Sequence, residues 1–192
     1  VAANVRVPDE VLGDFRAQLA ANRVIAESLL EILQGYGMTS LDDLALEIKG
    51  RSEAAMRSAI GALPPGTYTH QENLDGAEGE VSLYLEMTIS DGSLVLDFSG
   101  SSPQQRWAGN SVPNVTHGYA LHGVMAALAR DIPNNAGANR PVRIIAPEGT
   151  IVNARRPAAV NSRQFTSHFL PGAVLQCLAQ ASPSVGQAAS GT

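Results

Sequence analysis

Four histidines are the side chains of this sequence best suited to bind a metal or to move a proton near neutral pH, and they stand at positions 70, 117, 122 and 168. His117 and His122 are five residues apart, which places them on different faces of a helix, whereas a helical zinc pair needs a spacing of four. We therefore expect ordinary hydrogen-bonded histidines and no metal site.

A run of small polar residues, Ser99-Gly100-Ser101-Ser102, has the composition of an anion-binding loop. The run lacks the lysine and the full spacing of a phosphate loop. An ordinary turn is therefore the favoured interpretation, with phosphate binding as the alternative.

An alternating stretch precedes that run and predicts a strand with one buried face, from Val81 to Ile89. Asp91-Gly92 then predicts a two-residue hairpin turn. The register set by this turn pairs apolar residues on one face: Ile89 with Leu94, Met87 with Leu96, and Leu85 with Phe98.

On the other face the same register places Glu86 directly opposite Asp97, and like charges in that position destabilise a sheet. One explanation is a solvated, twisted end of the sheet. The other is a nearby cation, with Arg106, Arg140 or Arg143 as candidates, or a proton or metal shared by the two carboxylates.

The loop that follows is rich in residues that could either organise its backbone or contact a substrate. Trp107 is the only tryptophan, and anchoring of the loop to the core is its commoner role, with a cover over a pocket as the alternative. The asparagines could tie loop backbone together or orient amide and carbonyl groups of a substrate; they are Asn110, Asn114, Asn134, Asn135, Asn139 and Asn161.

Two amphipathic helices are predicted ahead of the hairpin. The first follows Pro8 and stops at Gly35 and Gly37, and the second runs from Ser40 to Pro64-Pro65-Gly66. Their short connection suggests an antiparallel helical hairpin over residues 1–65. The second helix's buried stripe is predicted to be Leu41, Leu44, Ile48, Met56, Ile60 and Leu63.

Residues 66–192 are predicted to form the rest of an α+β fold. A mostly apolar, buried helix should run from Thr116, as its N-cap, to Arg130, and a tight connection should follow over 132–137. Short strands are expected at 142–146 and 151–153. A last helix lies within 165–181 and either begins near Pro171 or is kinked there. We expect an antiparallel sheet packed by the helical hairpin and the buried helix, within one domain truncated at both ends.

Composition narrows the class of protein. The 192 residues carry a net charge of −5, which argues against nucleic acid or an anionic membrane surface as a partner. No apolar segment approaches the ~20 residues that span a bilayer. The single cysteine, Cys177, excludes an internal disulfide and suits a reducing cytosol, so we expect a cytoplasmic protein.

Several short segments, in order along the chain, together resemble the hydantoinase B/oxoprolinase family. They are PDEVLGDFRAQLAAN (8–22), LPPGTY (63–68), DFSGSSPQ (97–104), IPNNAGANRP (132–141), IAPEG (145–149) and RPAAV (156–160). The FTSHFLPG segment (165–172) departs from the family's usual polar helix start, which puts a role for His168 in doubt.

The resemblance implies a large subunit that works with a hydantoinase A-like partner. Such pairs include ATP-dependent hydrolases of cyclic amides, in which a carbonyl oxygen is activated by phosphorylation. A ketone carboxylase subunit, of the acetone or acetophenone type, and a non-catalytic assembly module are the alternatives. ATP and a divalent metal belong to the full complex, and neither is expected on this chain, which we expect to be inactive alone.

The residues carried over from matching motifs are Asp97, Ser99, Gly100, Ser101, Asn135, Gly137 and Arg140, as substrate-binding or loop-organising candidates. No catalytic residue is assigned. From their charges, Asp97 and Arg140 could form a hydrogen-bonded ion pair that fastens the two loops together. Exposed apolar surface should make the chain oligomerise or aggregate.

Overall fold

The computed structural model describes residues 2–182, so the last ten residues of the predicted second part lie outside the described range. The chain divides into two compact units, Val1–Glu47 and Ile48–Thr192.

The first unit is dominated by one long helix. A short 3-10 helix (Ala2–Asn4) precedes α1 (Pro8–Gly35). Pro8 opens α1 and two acids occupy its first turn, as helix N-termini favour. Gly37 follows the helix with a φ of +64°, which ends it as predicted. None of the residues of α1 is buried.

The second helix, α2 (Asp42–Gly61), begins where Ser40 Oγ accepts a hydrogen bond of 3.0 Å from the Asp42 N–H. Met56 and Ile60 are fully buried, whereas Leu44 and Ile48 are exposed. The prediction of a continuous buried stripe is therefore right only for the C-terminal part of α2.

The second unit contains a four-stranded sheet in the order β1 (Gly66–Gly76), β2 (Gly79–Ser90), β3 (Ser93–Asp97) and β4 (Val142–Ile145). The first three strands are antiparallel, and β4 runs parallel to β3. The predicted hairpin register is confirmed for Ile89 with Leu94 and Met87 with Leu96. The ladder ends at Asp97, so the predicted pairing of Leu85 with Phe98 is not formed, although both side chains are buried.

Sequence reasoning did not predict β1. Its polar residues, such as His70, Gln71 and Glu72, give no clear hydrophobic alternation, and Leu74 is its only buried residue. Long backbone pairing with β2, from Gly66 opposite Ile89 to Gly76 opposite Gly79, holds it in the sheet instead. The prediction of a strand at 151–153 is also wrong, because these residues form a turn closed by an isolated bridge between Thr150 and Asn153.

Up to Ser182, where the described part of the second unit ends, four further helices follow: α3 (Pro113–Leu128), α4 (Ala136–Asn139), α5 (Gln164–Ser167) and α6 (Leu170–Ala181). The predicted N-cap role of Thr116 is wrong, because Pro113 opens α3 and Thr116 is buried within the helix. Pro171 occupies the first turn of α6, which decides for a helix that begins there over a kinked one.

The core lies between one face of the sheet and the helices α2, α3 and α6. Its largest fully buried side chains include Phe98, Met56, Ile60, Leu83, Leu85, Met87, Leu94 and Leu96. The α+β prediction is confirmed, but the expectation of an antiparallel sheet is wrong for the β3–β4 pair, which is parallel and makes the sheet mixed. Within residues 2–182, no helix combines the length and hydropathy that crossing a membrane would require.

Replacing Leu96 with alanine should lower the free energy of unfolding by about 2–5 kcal/mol, because Leu96 is fully buried on β3 and its loss leaves a cavity. Denaturant unfolding measures the change. Leu46→Ala is the control: its side chain is 62% exposed on α2, so little change is expected. An equal loss in both variants would contradict this description of the core.

Candidate functional site

The carboxyl ends of β3 and β4 lie side by side, because these two strands are parallel neighbours. Asp97 ends β3 opposite Ile145, which ends β4. Ligands of sheets with parallel strands commonly bind beyond such ends. We call the two segments that follow these strands, residues 98–112 and 146–163, the loop layer.

Two serine hydroxyls hold the start of the loop layer against β2. Ser101 Oγ accepts a hydrogen bond of 3.1 Å from the Tyr84 N–H and donates one of 3.1 Å to the Tyr84 carbonyl. Ser102 Oγ accepts from the Ser82 N–H at 2.9 Å, and the Ser102 N–H donates to the Ser82 carbonyl at 2.9 Å. These groups satisfy the backbone of β2 beyond the point where β3 ends.

The other two residues of the run, Ser99 and Gly100, also stabilise the local backbone conformation. The Ser99 N–H donates to Asp97 Oδ1 at 2.8 Å and closes a tight turn. A side chain at Gly100 would collide with the ring of Tyr84, so only glycine allows this approach. The hydrogen bonds of residues 99–102 therefore favour the ordinary turn over phosphate binding, the two interpretations that the sequence left open.

Asn110 ties the two halves of the loop layer together. Its fully buried amide donates hydrogen bonds to the carbonyls of Gln105 (2.9 Å), Trp107 (3.0 Å) and Ala159 (2.9 Å). Its Oδ1 accepts from the Gln105 N–H at 2.6 Å. Asn110 therefore organises the loop backbone, which is one of the two roles predicted for the asparagines; the other was contact with a substrate.

Further main-chain hydrogen bonds join the two segments at several points. The Gln104 N–H donates to the Gly149 carbonyl at 2.8 Å, and the Ile151 N–H donates to the Ser102 carbonyl at 2.9 Å. The Ser111 N–H donates to the Ile151 carbonyl at 2.7 Å. Because both segments are bonded along their length, the loop layer is an ordered surface.

Trp107 anchors the loop layer to its surroundings, which was the commoner of its two predicted roles. Its ring meets Phe165 edge to face, with 4.7 Å between ring centroids. A side chain at Gly109 would collide with the indole ring. The buried indole Nε1 has no hydrogen-bond partner among the described residues.

A second group of the predicted residues fastens the connection before β4 to α2. Asn135 Oδ1 caps α4 by accepting from the N–H groups of Gly137 (2.8 Å) and Ala138 (3.3 Å). Its Nδ2 donates to the buried Ser52 Oγ at 2.8 Å. A Cβ at Gly137 would collide with the Lys49 carbonyl oxygen, so the two backbones touch at this position.

Glu53 on α2 joins three elements in that same region. One carboxylate oxygen accepts from Arg140 at 2.9 Å and the other from Arg57 at 2.8 Å, while Arg57 also donates to Ser93 Oγ at 2.9 Å. The hydrogen bond from Arg140, and then that from Arg57, lowers the pKa of Glu53 below its ordinary value. Sequence reasoning missed Glu53, because no local signal links it to a residue 87 positions later.

The predicted ion pair between Asp97 and Arg140 is wrong. Arg140 precedes Pro141, whose carbonyl accepts from the Leu94 N–H at the beginning of β3, whereas Asp97 lies at the other end of that strand. Leu94 and Asp97 are three residues apart on β3, which corresponds to roughly 10 Å along the strand. The seven predicted residues therefore form two groups, one at the end of β3 and the start of the loop layer, and one beside α2.

The predicted opposition of Glu86 and Asp97 is present in the sheet. Glu86 is exposed and Asp97 is partly buried. Within residues 2–182, no arginine lies within 4 Å of either carboxylate as an ion pair, and Arg140 bonds Glu53 instead. The geometry therefore favours the solvated sheet face over the cation bridge.

The part of the chain that the structure describes contains no group of three or more histidine, cysteine, aspartate or glutamate side chains that could hold a metal. His70 approaches Glu72 at 3.9 Å on β1. The described residues therefore offer no ligand set for a metal that the family would imply.

The sequence profile of the hydantoinase B/oxoprolinase family matches residues 1–192, and the chain belongs to this family. It is 31% identical over 94% of its length to a Pseudomonas sp. (strain NS671) protein provisionally named as the B-type subunit of a D-/L-hydantoinase. It is also 28% identical to the beta subunit of the caprolactamase of Pseudomonas jessenii. The chain spans about a third of each of these two relatives, 33% and 32% respectively.

Solved structures show the same fold. The ATP-dependent caprolactamase of Pseudomonas jessenii matches with a TM-score of 0.84 at 28% identity, over 95% of this chain and 32% of that chain. A nucleotide-free acetone carboxylase matches with a TM-score of 0.76 at 22% identity, over 90% of this chain and 25% of that chain. The second likeness shows the fold alone.

Gly137→Ala should destabilise the protein by about 1–3 kcal/mol, because the added methyl group forces α4 away from the Lys49 carbonyl. Gly118→Ala is the matched control: nothing lies within 4 Å of its Cβ position on α3, and alanine should stabilise that helix by up to about 1 kcal/mol. Denaturant unfolding measures both changes. The close contact would be refuted by an unaltered midpoint in Gly137→Ala.

Glu53→Gln should flatten the acid limb of the pH–stability curve. The lowered pKa of Glu53 means that the folded state binds this proton more weakly than the unfolded chain. Its stabilisation is therefore complete above the ordinary carboxylate pKa, about 4.3, and is lost as the pH falls through the lower folded pKa.

Unfolding curves of wild type and Glu53→Gln between about pH 3 and pH 7 make this comparison. Glu31→Gln, which removes an exposed carboxylate from α1, should leave the slope of the acid limb as it is in wild type. The assignment fails if the Glu53 and Glu31 variants give the same slope.

Proposed function

We propose that this chain is part of the B-type subunit of an ATP-dependent cyclic-amide hydrolase of the hydantoinase/oxoprolinase type. In this proposal it works with a hydantoinase A-like partner in the cytoplasm. The relatives include proteins named as B-type or beta subunits, which supports a multi-subunit assembly.

The observation that carries the proposal is the match to the ATP-dependent caprolactamase. A TM-score of 0.84 over 95% of the chain, together with 28% identity, relates nearly every element described above to that enzyme. A lactam is a cyclic amide, as are the rings named in the hydantoinase and 5-oxoprolinase relatives. The shared substrate class is therefore a ring amide bond.

The proposed role of this chain is to form an ordered wall beside the reacting groups. Asp97, the last residue of β3, and Ser99, in the loop layer, keep accessible polar groups at the carboxyl end of β3, while Gly100 and Ser101 hold the backbone. ATP and a divalent metal would be bound elsewhere in the full complex. The serine hydroxyls are hydrogen-bonded within the chain and do not form a free anion-binding loop, which supports a nucleotide site elsewhere in the complex.

Two alternative functions are distinguished from this one by the experiments described below. A ketone carboxylase subunit is the second candidate, and the fold shared with acetone carboxylase supports it. A non-catalytic assembly module is the third. It is supported by the internal hydrogen bonds of Ser101, Asn135 and Arg140, which leave these side chains engaged within the chain.

The full-length protein, co-purified with its partner subunit, should hydrolyse ATP faster when a hydantoin, 5-oxoproline or a lactam is added. Phosphate release and ring opening should occur together, because the cyclic amide is activated by phosphorylation in the proposed reaction. Bicarbonate-dependent ATP turnover with acetone or acetophenone, and none with cyclic amides, would overturn the proposal in favour of the carboxylase.

Asp97→Asn separates the enzyme subunit from the assembly module. Asparagine keeps an oxygen that accepts from the Ser99 N–H, so the turn and the complex should persist while the charge at the edge of the layer is lost. We expect a reduction in turnover of about tenfold or more with the complex intact. Glu86→Gln, the opposite carboxylate on β2, is the control and should retain turnover. Wild-type turnover in Asp97→Asn would count for the assembly module.

A further inference from the structure

Strand β1 forms one edge of the sheet. Among residues 2–182 it pairs with β2 along one side, and no strand lies against its other side. It runs for 11 residues without a proline, a lysine or a bulge, which are common protections of an exposed edge. Such an edge offers a row of backbone donors and acceptors to which another strand can bind.

The pairing with β2 decides which backbone groups of β1 point outward. Gly76 and Gly79 close a two-residue turn, so the even-numbered residues of β1 exchange hydrogen bonds with β2. The Thr69 carbonyl accepts from Gln180 Nε2 at 2.9 Å, which agrees with an outward direction and leaves its second lone pair for another donor. The residues whose N–H and C=O groups face away from β2 are Thr67, Thr69, Gln71, Asn73 and Asp75.

The sequence of β1 is complementary to itself when it is read in the opposite direction. If two copies pair antiparallel about Gln71, Tyr68 faces Leu74 of the other copy, and His70 faces Glu72. Two-fold symmetry forms each of these pairs twice, and apolar or oppositely charged cross-strand pairs stabilise a sheet. The pairs on the other face are polar and join no like charges: Gln71 with Gln71, Thr69 with Asn73, and Thr67 with Asp75.

Charge favours this register over its neighbours. A shift of two residues in one direction would set His70 against His70 of the other copy, and a shift in the other direction would set Glu72 against Glu72. A shift of one residue would match outward backbone groups with groups that already bond β2. Within one copy His70 Nε2 lies 3.9 Å from Glu72, too far for a hydrogen bond, so the imidazole of a second copy can donate to this carboxylate.

We propose that the open edge of β1 is a homotypic interface, at which two copies of this chain pair their β1 strands antiparallel about Gln71 and join their sheets across a two-fold axis. The self-complementary pattern of β1 is what selects a second copy as the occupant of this edge. The association goes beyond the proposed function and does not depend on which reaction the protein catalyses.

Oxidative cross-linking of the full-length protein tests the register. Gln71→Cys should form a disulfide-linked dimer rapidly, because directly opposed residues lie about 5.5 Å apart between Cα atoms, within reach of a disulfide. Thr69→Cys is the matched control on the same edge and the same face. Its counterpart in the other copy lies four residues along the strand, roughly 13 Å away, so it should cross-link slowly. Cys177 is buried, and burial raises its pKa to about 12, so it does not compete at neutral pH.

A charge exchange, followed by sedimentation velocity, tests the pairing itself. His70→Glu should raise the dissociation constant of the dimer by about tenfold or more, because it sets two carboxylates against each other at two symmetric positions. Adding Glu72→His to the same chain should restore the wild-type value, since opposite types again face each other. The double variant has the composition of wild type, so a change in net charge cannot explain the restoration.

Any of three results would overturn the proposal: equal cross-linking of the Gln71→Cys and Thr69→Cys variants, a dimer of wild-type strength in His70→Glu, or a double variant as weak as the single one. A full-length protein in which two copies do not associate would also overturn it, and would mean that another segment or another protein covers the edge. Circular dichroism of each variant verifies that the fold is retained.

Discussion

The structure depends on how the backbone of β2 is satisfied after β3 ends. A strand inside a sheet needs partners for its N–H and C=O groups on both sides, and β3 supplies them only as far as Glu86. Beyond that point the hydroxyls of Ser101 and Ser102 replace the missing strand. Because those serines begin the loop layer, the same bonds that complete the sheet also fix the start of the candidate site.

The hairpin at the centre of the fold could be predicted from sequence because its determinants are local. An alternating pattern and an Asp-Gly turn set the register of β2 and β3, and Asp91 adopts the positive φ of 49° that such a turn requires. The ends of α1 could also be predicted, because Pro8 and Gly37 mark them locally. The polar strand β1 was not, since its place in the sheet rests on backbone pairing with β2.

The candidate site was predicted only in part, because its organisation is set by contacts distant in sequence. The motifs drew attention to Asp97, Asn135 and Arg140, but charge alone suggested that Asp97 and Arg140 would pair. The parallel placement of β4 separates them and leaves Arg140 to Glu53. The reaction proposed for the protein rests on family membership and not on residue types, since the loop layer is held by neutral hydrogen bonds that no spacing rule identifies.

The way Asn110 is held has a consequence for the chemical ageing of the protein. Asparagine followed by serine is open to deamidation when the backbone can bend so that the next nitrogen attacks the side-chain carbonyl. Here the Ser111 nitrogen already donates to Ile151, and the amide is clamped, so the folded chain resists that reaction. In an unfolded chain the reaction would proceed, and it would set a carboxylate against three carbonyl oxygens on refolding. Damage at this one position during transient unfolding would therefore be locked in as a misassembled loop layer.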